Sequence, residues 1–440
     1  MFKTLSGAFK NKDIRKKLLY TLMILVVVRV GSILPIPGVN TEYFSSILNN
    51  VKGGDFSYLS AFTGGSFERM SLFALSITPY ITSSIIIQLL TIAIPKLEEM
   101  QREGEDGRKK IASITRYVTI GLALMESIAM AVGFGRSGLI KDYQNMSTIH
   151  YAACIIVVIA ALTGGSAVLM WLGERITENG VGNGISIVLL INIISGMPSD
   201  FATLYSTFVA TKTIAKGVLA AIIIIAILVL MVVLVCFLQD GERRIPVQYS
   251  QKVAGRKMVG GQSTNIPLKV NTAGVMPVIF ASSLMQFPVI IAQLFSSKSY
   301  EWTKYLSSSY WCRVATPKYS IGLLLYVVLL VIFAYFYTSI TFNPIEVADN
   351  LKKAGGVIPG ITPGKSTSEY LNRILNYIVF IGAIGLLIVA LIPIMCTGFF
   401  NASVSFGGTS IIIIVGVVLE TLKQIESMMC NRYYKGFLSE

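Results

Sequence analysis

The stretch IAKGVLAAIIIIAILVLMVVLVCFL, residues 214–238, decides the class of this chain. A helix needs roughly 20 consecutive apolar residues to cross the hydrocarbon of a bilayer, and this stretch supplies them with only Lys216 charged, near one end. Nine more runs of Leu, Ile, Val, Ala, Phe and Gly fall near 18–36, 70–94, 112–134, 150–172, 181–197, 273–295, 318–341, 374–396 and 405–425. The chain therefore reads as an all-α membrane protein with ten transmembrane helices. Its composition agrees: 53% of the 440 residues are hydrophobic and 14% are charged, where a soluble chain carries about 25% charged residues. The first run follows a basic stretch and leads into Pro35 and Pro37 instead of a small-residue cleavage site, so it is expected to be retained and not cleaved as a signal peptide.

Connections between the runs alternate in charge. One side gathers the residues around Lys10 to Lys17, Arg102 to Lys110, Arg243 and Arg244, Arg256 and Lys257, Lys352 and Lys353, and Lys423. The other holds only scattered cations such as Lys52, Arg69, Lys141, Lys212 and Lys298. The positive-inside rule then puts both termini in the cytoplasm. The net charge of +14 is mostly this topology signal, with the N-terminal cluster also suited to touching anionic lipid.

Enzyme signatures are missing, so the chain is not expected to be an enzyme or to hold a cofactor. The five cysteines form no CxxC pair and read as small buried hydrophobes, and His150 is the only histidine. The closest decoy is PGITPGKS at 359–366, which ends like a phosphate-binding loop, but Pro359 occupies the first glycine position and no strand is expected before it. There is no GxSxG and no HExxH. A gradient-driven transporter keeps its coupling acids and bases inside the spans, and here only Arg29 and Glu126 lie well inside. The interior otherwise offers weakly polar groups such as Thr78, Thr82, Ser83, Ser84, Gln88, Asn183 and Asn192.

FSYLSAFTGGSFER, residues 56–69, is half apolar yet too short to cross, broken by Gly64 and Gly65 and closed by Glu68 and Arg69. Non-helical backbone at membrane depth must be buried in protein or line an aqueous cavity. The segment is therefore either a re-entrant element folded into a pore or an ordinary external loop. Ten spans divide into five (1–197) and five (214–440) around an external hinge connection at 198–213. Since five is odd, a repeat of the halves must be inverted, with a pathway at their interface. A small-solute secondary transporter shares that layout and is the rival reading.

Seven blocks carry a resemblance: RVGSILPIPGV at 29–39, FALSITPYITSSIIIQLL at 73–90, GEDGRKKI at 104–111, WLGERITENGVGNGIS at 171–186, QSTNIPLKVNTAGVMPVIFASS at 262–283, FNPIEVADNLKKAGGVIPGI at 342–361 and FGGTS at 406–410. In these the chain resembles the bacterial SecY family from about residue 15 to about 430. The resemblance implies a multi-pass protein of the bacterial cytoplasmic (inner) membrane, forming a protein-conducting channel that opens across the membrane for unfolded preproteins and sideways into membrane lipid. It implies SecE and SecG as small partner subunits, and the SecA ATPase or a translating ribosome as motor.

Carried over block by block, the resemblance puts a pore ring at Ile77, Ile81, Ile185, Leu189, Ile279 and Ile413. Two pairs of these, Ile77/Ile81 and Ile185/Leu189, are four residues apart and so share a helix face. Such a ring excludes ions by dewetting without offering hydrogen bonds to a passing chain. Segment 56–69, with Phe56, Leu59, Phe62, Gly64, Gly65 and Arg69, matches the plug. Thr82, Gln88, Glu126, Asn271 and Thr272 match the lateral gate, where signal peptides intercalate, although Glu126 reads equally as a structural carboxylate. Arg29 reads as a packing or snorkelling residue. Connections 239–268 and 342–372, with Arg243, Arg244, Arg256, Lys257, Lys352 and Lys353, match docking loops for SecA and for the ribosome, whose RNA a basic tip also attracts. One departure stands out: Thr362 occupies a position where the family commonly has Arg, leaving Lys353 or Lys365 to supply the charge.

Overall fold

The computed structural model describes residues 9–42, 44, 63–135, 140, 147–210, 214–249, 252–254, 257–259, 263–295, 301–307, 310–312, 317–400 and 408–435. Ten helices fall on the ten apolar runs: α1 (Lys12–Ile33), α2 (Thr78–Ala93), α4 (Glu105–Phe134), α5 (Thr148–Asn179), α6 (Gly184–Leu204), α7 (Ile214–Asp240), α8 (Met276–Phe295), α9 (Ile321–Thr341), α11 (Lys365–Phe400) and α12 (Gly408–Lys435). Two shorter helices, α3 (Pro95–Arg102) and α10 (Pro344–Lys353), lie on the basic side. Among the described residues six helices are long and apolar enough to cross a bilayer, and a seventh if α2 and α3 count as one span bent by 105°. The other runs are shorter or carry charge, as α1 does with Lys16, Lys17 and Arg29.

Local chemistry sets the helix ends. Asn183 caps α6, its side chain accepting from the Ile185 and Ser186 amides at 3.1 and 3.5 Å. Asn343 does the same for α10, where Pro344 fills a first-turn position whose amide would have had no partner.

The second span is shorter than the apolar run suggests. Residues 70–77 are not helical; from Gly64 to Ile77 the described chain runs in turns, with left-handed backbone at Met70 and Ser76, and α2 begins only at Thr78 with Pro79 in its first turn. These turns are wrapped in protein: Thr63, Ser66, Phe67, Met70, Ser71, Ala74 and Ile77 are all buried. The Leu72 amide donates to the Leu34 carbonyl and the Ile36 amide to the Met70 carbonyl, at 2.9 and 3.1 Å, so the chain after α1 carries the turns like a short ladder. Phe67, Met70 and Ala74 pack with Ala123 and Met130 of α4 and Leu162 of α5. The earlier part of the proposed plug, with Phe56, Leu59 and Phe62, lies outside the described residues.

Residues 198–210, expected as a connection, are helical instead. Helix α6 continues through Pro198 to Leu204 and then as a π-helix over Tyr205–Ala210. Hydroxyls at Ser199, Thr203 and Ser206 donate back to carbonyls of the preceding turn and help to satisfy groups around the proline.

On the basic side the chain is not purely helical. The connections at 239–268 and 342–372 fold into one module, in which β1 (Glu242–Tyr249) pairs antiparallel with β4 (Ser263–Lys269) on one edge and with the two-residue β5 (Gly356–Val357) on the other. Strands β2 (Lys252–Ala254) and β3 (Lys257–Val259) form a hairpin between them. Alternation explains β1: Ile245 and Val247 are buried while Arg244, Pro246 and Gln248 face out. Ile245 and Val247 join Leu268, Leu351 and Leu371 in a small core of their own. Strand β5 also precedes the PGITPGKS stretch, where none was expected, but it is a sheet edge of two residues and Pro359 keeps its place.

Candidate functional site

Six helices contribute to the wall of one cavity of about 470 Å³, with Gln239 of α7 and Tyr337 and Thr341 of α9 beside the four that supply most of it. Helix α2 contributes Ile81 and Gln88, α6 Ile185 and Leu189, α8 Ile279 and Phe280, and α12 Ile413, Val417 and Glu420. Five of the six proposed ring residues therefore line a single space. The sixth, Ile77, is 1% exposed and lies in the core beside it, together with Leu189, Ile279 and Ile413. None of the six has a side chain able to hydrogen-bond.

The cavity is graded along its helices. On α12, Ile413, Gly416, Val417, Glu420 and Lys423 all line it; at three- and four-residue steps they share one face, and at about 1.5 Å per residue they extend over ~15 Å. On α2 the sequence Ile81, Ser84, Gln88 repeats the pattern. Both helices change from aliphatic to polar toward the basic side, where Lys269, Asn271 and Thr272 complete the wall. The result is a funnel with a polar mouth and an aliphatic throat. Lys423 at the mouth is paired with Asp240 at 2.7 Å.

The proposed gate residues divide. Gln88, Asn271 and Thr272 line the mouth. Asn271 donates to the Gly274 carbonyl at 2.9 Å and Thr272 to the Lys269 carbonyl at 2.8 Å, shaping the turn that leads into α8. Thr82 donates to the Thr78 carbonyl within α2, and neither it nor Glu126 borders the cavity. Glu126 lies on α4, which packs against α2, α5 and α8. Of the plug residues, Gly64 and Gly65 are both left-handed, and the Gly64 carbonyl accepts from Ser195 of α6.

The proposed docking residues that are described lie on the module. Arg243 is exposed on β1, opposite Leu268. Arg244 is tied to Glu242 at 2.6 Å, and Lys352 and Lys353 are exposed in the last turn of α10. Arg256 lies outside the described residues; Lys257 is on β3. Thr362 sits in the turn before α11 and accepts from the Thr367 hydroxyl through its carbonyl.

Tyr80, Phe280, Tyr337, Lys269 and Glu420 line the cavity without having been singled out from the sequence as site residues. A signal existed for one of them: Tyr80, Ser84 and Gln88 recur every four residues and so share a face of α2.

A family model described as SecY matches residues 71–422. The protein translocase subunit SecY of Streptomyces coelicolor is 44% identical over 453 residues, covering 100% of both chains. Among solved structures, one described as the structure of a protein conducting channel superposes with a TM-score of 0.63 at 18% identity, covering 93% of this chain and 91% of its own. The Sec61 chain of the canine ribosome-channel complex from the endoplasmic reticulum superposes with a TM-score of 0.60 at 18% identity, over the same shares of the two chains.

Proposed function

This chain belongs to the SecY family, and from that premise we propose how its funnel works as the protein-conducting subunit of a translocase. One observation carries the reading: aliphatic side chains from four separate helices meet at one throat above a polar mouth. An unfolded polypeptide enters at the mouth, where Gln88, Asn271, Thr272 and Glu420 offer hydrogen-bonding groups. It then meets Ile81, Ile185, Leu189, Ile279 and Ile413, which close around any sequence because they recognise none. Ions are held back since a narrow aliphatic constriction does not stay wet. The buried turns at 63–77, with the residues before them, act as the plug and move aside when the throat is filled.

The mouth faces the cytoplasm of a bacterium in this reading, with both termini on that side of the inner membrane. SecE and SecG flank the channel. SecA or the ribosome docks on the module built from 239–268 and 342–372, through Arg243, Lys352 and Lys353, with Arg256 and Lys257 extending the basic tip. The halves 1–197 and 214–440 separate about the helical 198–210 segment. Their seam opens between α2/α4 and α8/α9, where Thr82, Gln88, Glu126, Asn271 and Thr272 meet a signal peptide. Energy comes from the separate motor.

The transporter alternative needs ionisable groups facing the pathway at mid-depth. Arg29 and Glu126, the two inside the spans, do not border the cavity. Reconstitution with the partner subunits and SecA tests the reading. Proteoliposomes are expected to make a preprotein protease-resistant only when ATP is present. Gradient-driven accumulation of a small solute, with no protected preprotein, would overturn it.

A further inference from the structure

Arg29 occupies an awkward place. It lies four residues from the end of α1, among Val26, Val27 and Val30, which are half exposed to the apolar surroundings. A charged side chain at such depth is expensive unless it finds partners. Its Nη1 donates to the Ser195 hydroxyl of α6 at 2.8 Å, 166 residues further along the chain. Ser195 stands where it can pass that contact on. Its oxygen lies 2.7 Å from the Asn192 carbonyl and 3.4 Å from the Gly64 carbonyl, so its one hydroxyl hydrogen is shared between two acceptors, the Gly64 contact being the longer.

Gly64 meets α6 with nothing between them. Its φ of +61° favours glycine, and a β-carbon there would come within 2.5 Å of the Ser195 hydroxyl and 2.6 Å of the Asn192 carbonyl. One turn earlier on α6, Asn192 is 1% exposed and donates to the Ser76 hydroxyl at 3.1 Å. Ser76 is itself left-handed, with φ of +52°. Adjacent positions on one face of α6 therefore contact the segment at both ends, Gly64 through Ser195 and Ser76 through Asn192. Arg29 is the donor that the Ser195 oxygen accepts from.

We infer that Arg29 is a positioning residue for the segment 63–77: acting through Ser195, it latches the Gly64 end against α6 and so sets how readily the segment leaves the throat. The inference rests on the channel reading and deepens it, because it names the groups whose contacts a translocating chain must break. Arg69, within the same segment, is close enough to repel Arg29, so a change at Arg29 alters a charge interaction as well as the hydrogen bond. Ser195→Ala removes the relay and leaves both charges in place.

The test uses the full chain in its membrane complex, with the cysteines at 154, 236, 312, 396 and 430 replaced by serine and Ser66→Cys introduced. Ser66 suits the probe because it is 1% exposed and its hydroxyl has no hydrogen-bond partner, so the change to cysteine gives up no bond. Labelling from outside by a membrane-impermeant maleimide reads how often the segment opens. Ser195→Ala and Arg29→Leu are each expected to raise the labelling rate about tenfold, the equivalent of one hydrogen bond to a charged group, with Arg29→Lys restoring part of the protection. Export of a reporter with a defective signal sequence should rise in the same order. A residue that merely supports packing would lower abundance without this graded opening. If Arg29→Leu fails to accumulate, Ser195→Ala decides alone. Unchanged labelling in Ser195→Ala at normal abundance overturns the latch. Labelling requires no export, so a failure of the channel reading itself, with no preprotein moved by the parent chain, is recognised separately.

Discussion

Ile279 is the place to test the proposed seal. It lies on α8, is 4% exposed, lines the cavity and shares a core cluster with Ile77, Leu189 and Ile413. Replacing it with asparagine removes an aliphatic side chain whose full burial is worth about 1.5–3 kcal/mol, and it puts an amide into an apolar cluster. The loss falls on the closed state. In an open throat the same side chain faces a hydrated pathway or a passing polypeptide, so its apolar contacts are already gone. A difference of about 2 kcal/mol shifts the closed-to-open ratio roughly 30-fold. In planar bilayers, the resting open probability of Ile279→Asn should rise by about that factor, and export of a reporter with a weak signal sequence should rise with it. Ile279→Val, which costs only about 0.5–1.5 kcal/mol at a buried site, should fall between the two. Unchanged resting conductance together with unchanged signal stringency would refute the argument, because a residue in the constriction cannot lose its apolar contacts without effect.

Other outcomes follow from the same geometry. Arg243→Glu should weaken SecA or ribosome association more than Arg244→Glu, since Arg244 is already paired with Glu242; the loss should vanish toward ~1 M salt, where the screening length is about 3 Å, and a binding curve identical for both variants and for the parent would mean that these arginines only set topology. Gly184→Ala drives a methyl group into the Gly173 carbonyl of α5, and thermal unfolding in detergent should show a loss of about 1–3 kcal/mol. Gly121→Ala, with open space around its α-carbon, should show none, and equal stability of the two variants would count against the close α5–α6 contact. Deleting 57–66 removes Gly64 and its contact with Ser195, so flickering ion leak should increase while export persists through the aliphatic ring; an unchanged leak would mean that the segment seals nothing.

The ten helices were legible because lipid imposes a rule that sequence obeys locally: each span must be apolar along its whole length and must satisfy its own backbone. The same rule hides what happened at 70–77. MSLFALSI is as apolar as the helix that follows, and a hydropathy pattern registers the exclusion of water without saying whether lipid or protein excludes it. The left-handed residues Met70 and Ser76 belong to a buried turn and the helix starts only at Thr78, yet none of these residue types forbids a helix read from sequence alone. The sheet on the basic side was missed for a related reason. Its alternation covers only a few residues of β1, and β5 contributes two residues from a hundred positions away.

The ring shows a different limit. Spacing paired Ile77 with Ile81 and Ile185 with Leu189, but nothing in an apolar chain marks Ile279 and Ile413 apart from their many aliphatic neighbours. They acquire a role only when α2, α6, α8 and α12 bring them to one cavity. Resemblance to a known family supplied that convergence, while physics supplied the reason that aliphatics suit it. Arg29 sits at the opposite extreme. An arginine inside a span is conspicuous, and taken alone it reads as a side chain stretching toward the interface. The hydroxyl that holds it is a single serine on another helix, one of many in the chain and without any local signature. Charge at membrane depth can be found from sequence; what it is for depends on a partner that only the fold chooses, and here that partner also touches the Gly64 carbonyl of the proposed plug.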